Sequence, residues 1–180
     1  SKLERLLWMQ MFIGNKLIEA ELEIRNVEVK GVPLKGAIDK IDKIERNEVR
    51  IIDYKTGKFR KEKVTPPNEK NPLGGDYWRQ VVFYKILLEN FHSRNYRVTD
   101  GKIDYVEPDQ KTGENHFATI DIQQKNVQTV TQQIVDTYEK IHEHKFYEGC
   151  GKPHCHWCNF TKKHELVNRY KDRIDEELDD

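Results

Sequence analysis

The stretch LKGAIDKIDKIERNEVRIIDYKTG, residues 34–57, decides how this chain folds. Leu34 to Ile44 and Val49 to Lys55 are rich in Ile and Val and read as two strands, with Glu45 to Asn47 as the turn between them. So short a connection makes the pair antiparallel. Alternate residues of a strand share a face, so Asp53 and Lys55 point the same way at the end of the second of these strands. Asp39, fourteen residues before Asp53, then falls near the level of Asp53, give or take a bulge.

Working outward, residues 3 to 20 place Leu3, Leu6, Leu7, Met11, Ile13 and Leu17 at helical spacing, which predicts an amphipathic helix. Ile24 to Lys30 reads as a strand, parted from the next by Gly31-Val32-Pro33. Phe59 to Asp76 carries three prolines, two adjacent glycines and four lysines or arginines, and is expected to be a long exposed loop. Tyr77, Gln80, Tyr84, Leu88 and Phe91 recur at three and four, which predicts a helix over Asp76 to Phe91 with Asp76 as its N-cap. Lys102 to Glu107 and His116 to Ile122 read as strands around a turn at Pro108 to Glu114, and Lys125 to Lys145 reads as a long helix. The order is helix, three antiparallel strands, helix and strand, followed by an appended strand and helix. The expected fold is a mixed α/β plan with a central sheet.

The 180 residues correspond to about one domain, expected as a core over 3–146, a Cys/His segment over 147–165 and an acidic tail over 172–180. Lys+Arg 31 balances Asp+Glu 31, so net charge names no partner and any nucleic-acid surface must be a local patch. Mean hydropathy is -0.88, and the longest purely apolar run is about four residues against the roughly 20 that span a bilayer, so membrane helices are not expected. No secretory leader pattern opens the chain, and three cysteines cannot all close into intrachain disulfides, which points to a reducing cytoplasm. The start at Ser1 rather than Met points to a processed or excised chain.

Two converging carboxylates are costly unless a divalent cation neutralises them, and oxygen ligands suit Mg²⁺ or Mn²⁺. A lysine beside such a metal can hold an attacking water or stabilise charge developing on a phosphate. Spacing alone leaves a plainer reading open, because Asp-x-Lys on a solvated strand edge is common by chance.

Gly36-Ala37-Ile38-Asp39, Asp53-Tyr54-Lys55-Thr56-Gly57 and Gln80-Val81-Val82-Phe83-Tyr84 occur in that order. Together they resemble the motifs of the PD-(D/E)XK nuclease superfamily, in particular its RecB-like branch. The tract Tyr77-Trp78-Arg79-Gln80 is similar to the opening of the motif helix in nuclease domains at the C-terminus of UvrD/Rep-like DNA helicases. The resemblance implies an αβββαβ restriction-endonuclease-like core and a Mg²⁺- or Mn²⁺-dependent deoxyribonuclease attached to helicase domains in recombination or repair. It implies that Asp39 and Asp53 hold the metal with the Tyr54 carbonyl, that Lys55 is catalytic, and that Gln80 and Tyr84 support the site and meet the DNA backbone. The chain has no Gly-x-x-x-x-Gly-Lys-[Ser/Thr] phosphate loop, so no ATP-driven motor is expected in it. One departure is the family's frequent first-helix histidine: no histidine occurs before His92, and Glu19, Glu21 or Glu28 are the substitutes within the chain. That departure keeps a second reading in play, a catalytically inactive nuclease-fold module that binds DNA or a partner protein.

Cys150, Cys155, Cys158 and His164 form a knuckle with the ligand types of a zinc site. Its resemblance to the C-terminal part of the iron–sulfur motif of some RecB-like nucleases implies a cluster only if a further cysteine lies upstream in a parent protein. Reduced thiols beside Trp157 and Phe160 are the plainer alternative. Lys58 and Arg60, with Lys61 and Lys63, follow the Asp-x-Lys motif at positions suited to DNA phosphates, although a solvated basic loop has the same sequence.

Overall fold

The computed structural model describes residues 17–109, 112–143 and 154–164. Leu17–Val29 forms β1, Val32–Glu45 β2, Glu48–Lys55 β3, Asp76–Glu89 α1, Arg97–Tyr105 β4, Phe117–Asp121 β5, Gln124–His142 α2 and His156–Lys163 α3. One sheet runs β1-β2-β3-β4-β5, with β3 and β4 parallel and the other neighbours antiparallel. By contacts the chain divides into two compact units, 1–135 and 136–180.

The β1–β2 hairpin turns on Lys30 and Gly31, both at positive φ (53° and 78°). That is the backbone of a two-residue turn whose twist matches the strands. The parallel β3–β4 pair needs a crossover, and α1 supplies it. Ile41, Val49, Ile51 and Ile103 of the sheet join Trp78, Val81, Val82, Leu87 and Leu88 of α1 in one buried cluster. At Gly101 a Cβ would collide with Val81, so the missing side chain is what lets α1 lie against β4. Glu89 fastens the two at the other end, accepting the Val98 backbone N–H at 2.8 Å.

Several expectations need correction. Residues 17–20, read as the end of a helix, belong to β1 because the long β2 offers them a pairing edge, while the rest of the expected first helix lies outside the described residues. Val32 and Pro33 continue β2 rather than forming a turn. Asp76 is not the N-cap of α1. Gly75 is, and the Asp76 carboxylate pairs with Arg79 at 2.6 Å in the first turn. The long loop holds a short 3-10 turn at Lys61–Val64. Arg79 ties the end of that loop to α1 by donating to the Leu73 and Gly74 carbonyls. The strand expected from Lys102 begins earlier, at Arg97. Cys150 and the acidic tail lie outside the described residues. In the second unit, Tyr138 and His142 meet edge to face at 4.3 Å, and α3 carries Trp157 and Phe160 exposed to solvent.

Candidate active site

The β2–β3 ladder runs from Glu45↔Glu48 to Lys40↔Ile52, and one further step sets Asp39 opposite Asp53. The Asp39 carboxylate accepts the Tyr54 backbone N–H at 3.0 Å, which holds it against the end of β3. Asp53 is 2% exposed, and the Lys55 ammonium lies 2.6 Å from its Oδ2. Parallel pairing sets Asp53 beside Ile103 and Lys55 beside Tyr105, and Val106 N–H donates to the Lys55 carbonyl at 3.0 Å. The end of β3 is therefore held on the β4 side by a backbone hydrogen bond and on the β2 side by the Asp39 carboxylate.

Helix α1 closes the site from above the sheet. Gln80 Nε2 donates to the Tyr84 hydroxyl at 2.8 Å, the two residues being one helical turn apart. Burial pushes the Tyr84 hydroxyl above its ordinary pKa, and the nearby charges of Asp53 and Asp39 push it the same way while the Gln80 bond opposes them. Tyr84 thus faces both carboxylates, which converge on one side of the sheet. Gly36 explains the glycine of its motif: a Cβ there would stand 2.9 Å from Leu87 Cδ2 of α1.

Tyr77, which the sequence marks by helix periodicity and by the motif-helix tract without giving it a role, stands beside the site lysine. Its ring lies 4.9 Å from Lys55 Nζ and 4.6 Å from Lys63 Nζ, and Lys63 also reaches its hydroxyl at 3.2 Å. A lysine held over an aromatic face is restrained without losing its charge. The 77, 80, 84 spacing on one helix face was the available signal.

Other residues stay apart. Gly57 at φ +87° turns the chain out of β3, and Lys58 and Arg60 are exposed on the loop that follows. Glu19 pairs with Arg94 at 2.6 Å, and Glu28 sits near the hairpin tip opposite Pro33. Among the described residues no group of three or more His, Cys, Asp or Glu side chains is placed to hold a metal. Cys155 caps the N-terminus of α3 and His164 its C-terminus, a separation of about 13 Å along the axis at 1.5 Å per residue. Cys150 is outside the described residues.

The donors gathered at the strand end are all oxygens, two of them from adjacent carboxylates, which is the chemistry that a hard divalent cation takes. A comparison with curated protein sequences gave no match. Among solved structures, the chain titled "Crystal structure of SSO0001" is similar at 19% identity and a TM-score of 0.44, over 77% of this chain and 58% of that one. The protein thus spans less than two thirds of that neighbour's length. The family model of the PD-(D/E)XK nuclease superfamily aligns with residues 3–162, from before β1 to the last turn of α3, and this chain belongs to that superfamily.

Proposed function

We propose that the chain is a Mg²⁺- or Mn²⁺-dependent deoxyribonuclease domain that hydrolyses DNA phosphodiesters. The observation that carries the reading is the convergence of Asp39, Asp53 and Lys55 under Tyr84 at one strand end. Asp39, Asp53 and the Tyr54 carbonyl would hold the cation, which when bound polarises the scissile phosphate and acidifies a water. Lys55, restrained over Tyr77, donates to the attacking water or to a phosphate oxygen on which charge develops. Gln80 orients the Tyr84 hydroxyl, and Tyr84 shields the carboxylates from bulk water on the α1 side. Lys58 and Arg60 meet phosphates along the strand, giving salt-sensitive, sequence-independent binding. The three motifs in order support placement in the RecB-like branch, the Tyr77–Gln80 tract supports attachment to a UvrD/Rep-like helicase with a repair or recombination role, and the odd cysteine count supports a cytoplasmic location. Among the described residues no helix is long and apolar enough to cross a membrane.

Incubation of end-labelled DNA with Mn²⁺, with Mg²⁺ and with EDTA tests the reading. Products that appear only with metal support it, whereas metal-independent binding without cleavage indicates the inactive DNA-binding module. Zinc or a cluster remnant at Cys150, Cys155, Cys158 and His164 rests on spacing, against the separation of two of these ligands by α3. Elemental analysis after purification without added metal decides it: about one zinc per chain supports the closed site, iron refutes it, and no metal leaves an empty remnant.

A further inference from the structure

Beside the strand-end carboxylates the chain forms a concavity of about 320 Å³ whose lining includes Lys58, Phe59, Tyr105, Glu107, Asp109 and His116. It begins where the catalytic strand ends. Gly57, at φ +87°, redirects the chain so that Lys58 and Phe59 lie over the end of β4. The Val106 N–H bond to the Lys55 carbonyl joins the floor of the cleft to the catalytic lysine through the backbone. The far wall is equally fixed, since Tyr105 N–H donates to the His116 carbonyl at 3.0 Å.

The lining is aromatic and one-sided. Phe59 stands edge-on to Tyr105 at 5.6 Å and stacks with His116 at 5.8 Å with 29° between the planes. Tyr105 is buried at 1% exposure, whereas Phe59 is 37% exposed, so the anchor is inside and the stacking surface is at the mouth. A centroid spacing of 5.8 Å is already that of an offset-stacked pair, so a flat aromatic guest enters as the exposed Phe59 ring swings away from His116 by about one ring thickness, roughly 3.5 Å. At the rim, Lys58 offers an ammonium for phosphate, and Asp109 and Glu107 offer carboxylates for exocyclic amino groups of a base edge. Asp109 already leans on His116, its Oδ2 lying 3.6 Å from Nε2.

We propose that this cleft is a nucleobase subsite that takes an unpaired base of a DNA strand passing the strand-end carboxylates. The inference deepens the nuclease reading and rests on it for the direction of the strand, but the binding step needs no catalysis. A paired base cannot enter, because its faces are covered by the stack, so the subsite selects single-stranded or frayed DNA. Stacking of this kind tolerates any base.

Fluorescence of a short oligodeoxynucleotide carrying 2-aminopurine tests the subsite in EDTA, where metal-dependent cleavage is absent. The parent protein should quench the probe, and Phe59→Ala should weaken binding of the single strand about tenfold while leaving duplex binding unchanged. Phe59→Trp, which keeps a stacking face, should bind as the parent does, which separates lost stacking from lost fold. An unquenched probe with the parent protein, or equal single-strand affinity for the parent and Phe59→Ala, overturns the subsite. Absence of Mn²⁺-dependent cleavage with quenching intact would instead overturn the nuclease reading alone.

Discussion

Strands β2, β3 and β4 carry two charged clusters only three ladder steps apart, and the two are put together by opposite rules. In the middle of the sheet Asp42 pairs in register with Arg50, and Arg50 with Asp100. The guanidinium of Arg50 hydrogen-bonds the Asp100 carboxylate, Thr99 Oγ1 donates to the same carboxylate at 3.1 Å, and Lys40 Nζ lies 3.1 Å from Asp42 Oδ1. Across β2, β3 and β4 the charges alternate acid, base, acid, and only on the β5 side does Asp100 lie opposite another acid, Asp121. At the strand end the ladder sets an acid opposite an acid, Asp39 against Asp53, an arrangement that costs stability wherever nothing else is gained. The alternating cluster is a structural brace. The like-charged pair is a place where an added cation relieves a cost already built into the fold.

The largest expected effect separates the two clusters by activity. Asp39→Asn keeps an acceptor for Tyr54 N–H and removes one of two neighbouring charges, so cleavage with Mn²⁺ should fall by about 10²–10³-fold or more. Its thermal midpoint should hold or rise. Lys55→Ala should lose cleavage in the same range. A variant of either kind that cleaves like the parent would place the chemistry elsewhere and leave the like-charge pair without a function.

Much of this was legible in residues 34–57, because the β-branched runs, the short turn and the two-residue period together fix strand, direction and face. The helix bearing Gln80 and Tyr84 was legible from its period, and Gly36 from its motif. What escaped the sequence is tertiary. The pairing edge that turns residues 17–20 into strand comes from the length of β2. Tyr77 belongs to the site because the fold sets its ring beside Lys55 of β3 and the loop brings Lys63 to it from fourteen positions earlier. The Phe59–His116 stack joins residues on opposite sides of α1 and β4 in sequence, and no local pattern announces it.

The next effect is smaller and tests whether α1 belongs to the active side. Gly101→Ala drives a methyl into Val81, and overpacking of this kind costs about 1–3 kcal/mol. Urea unfolding should show that loss, and cleavage should fall several-fold as well, because Gln80 and Tyr84 ride on the displaced helix. On the brace side, Asp100→Asn should lower stability by about 1–2 kcal/mol, a figure discounted for the partial exposure of Arg50. Its cleavage rate should be unchanged. A drop in cleavage matching that of Gly101→Ala would show that the clusters are coupled rather than separate.

The smallest effect uses two tyrosines as reporters of the same contrast. Burial raises the pKa of both Tyr84 and Tyr105 above the ordinary 10.0, but only Tyr84 is also raised by Asp53 and Asp39. In each case the neutral hydroxyl is favoured in the folded state. Its contribution to stability is therefore complete below pH 10 and is lost as pH rises through the folded value. Thermal midpoints measured upward from about pH 10 should decline less steeply for Tyr84→Phe than for the parent. A ¹³C-tyrosine NMR titration sharpens the comparison further. In Asp39→Asn the Tyr84 titration should move down in pH, since one of the charges that opposed its ionisation is gone, while Tyr105 should titrate where it does in the parent. Equal movement of both tyrosines would mean that the substitution loosened the whole sheet end, and an unmoved Tyr84 would mean that Asp39 does not share a field with it.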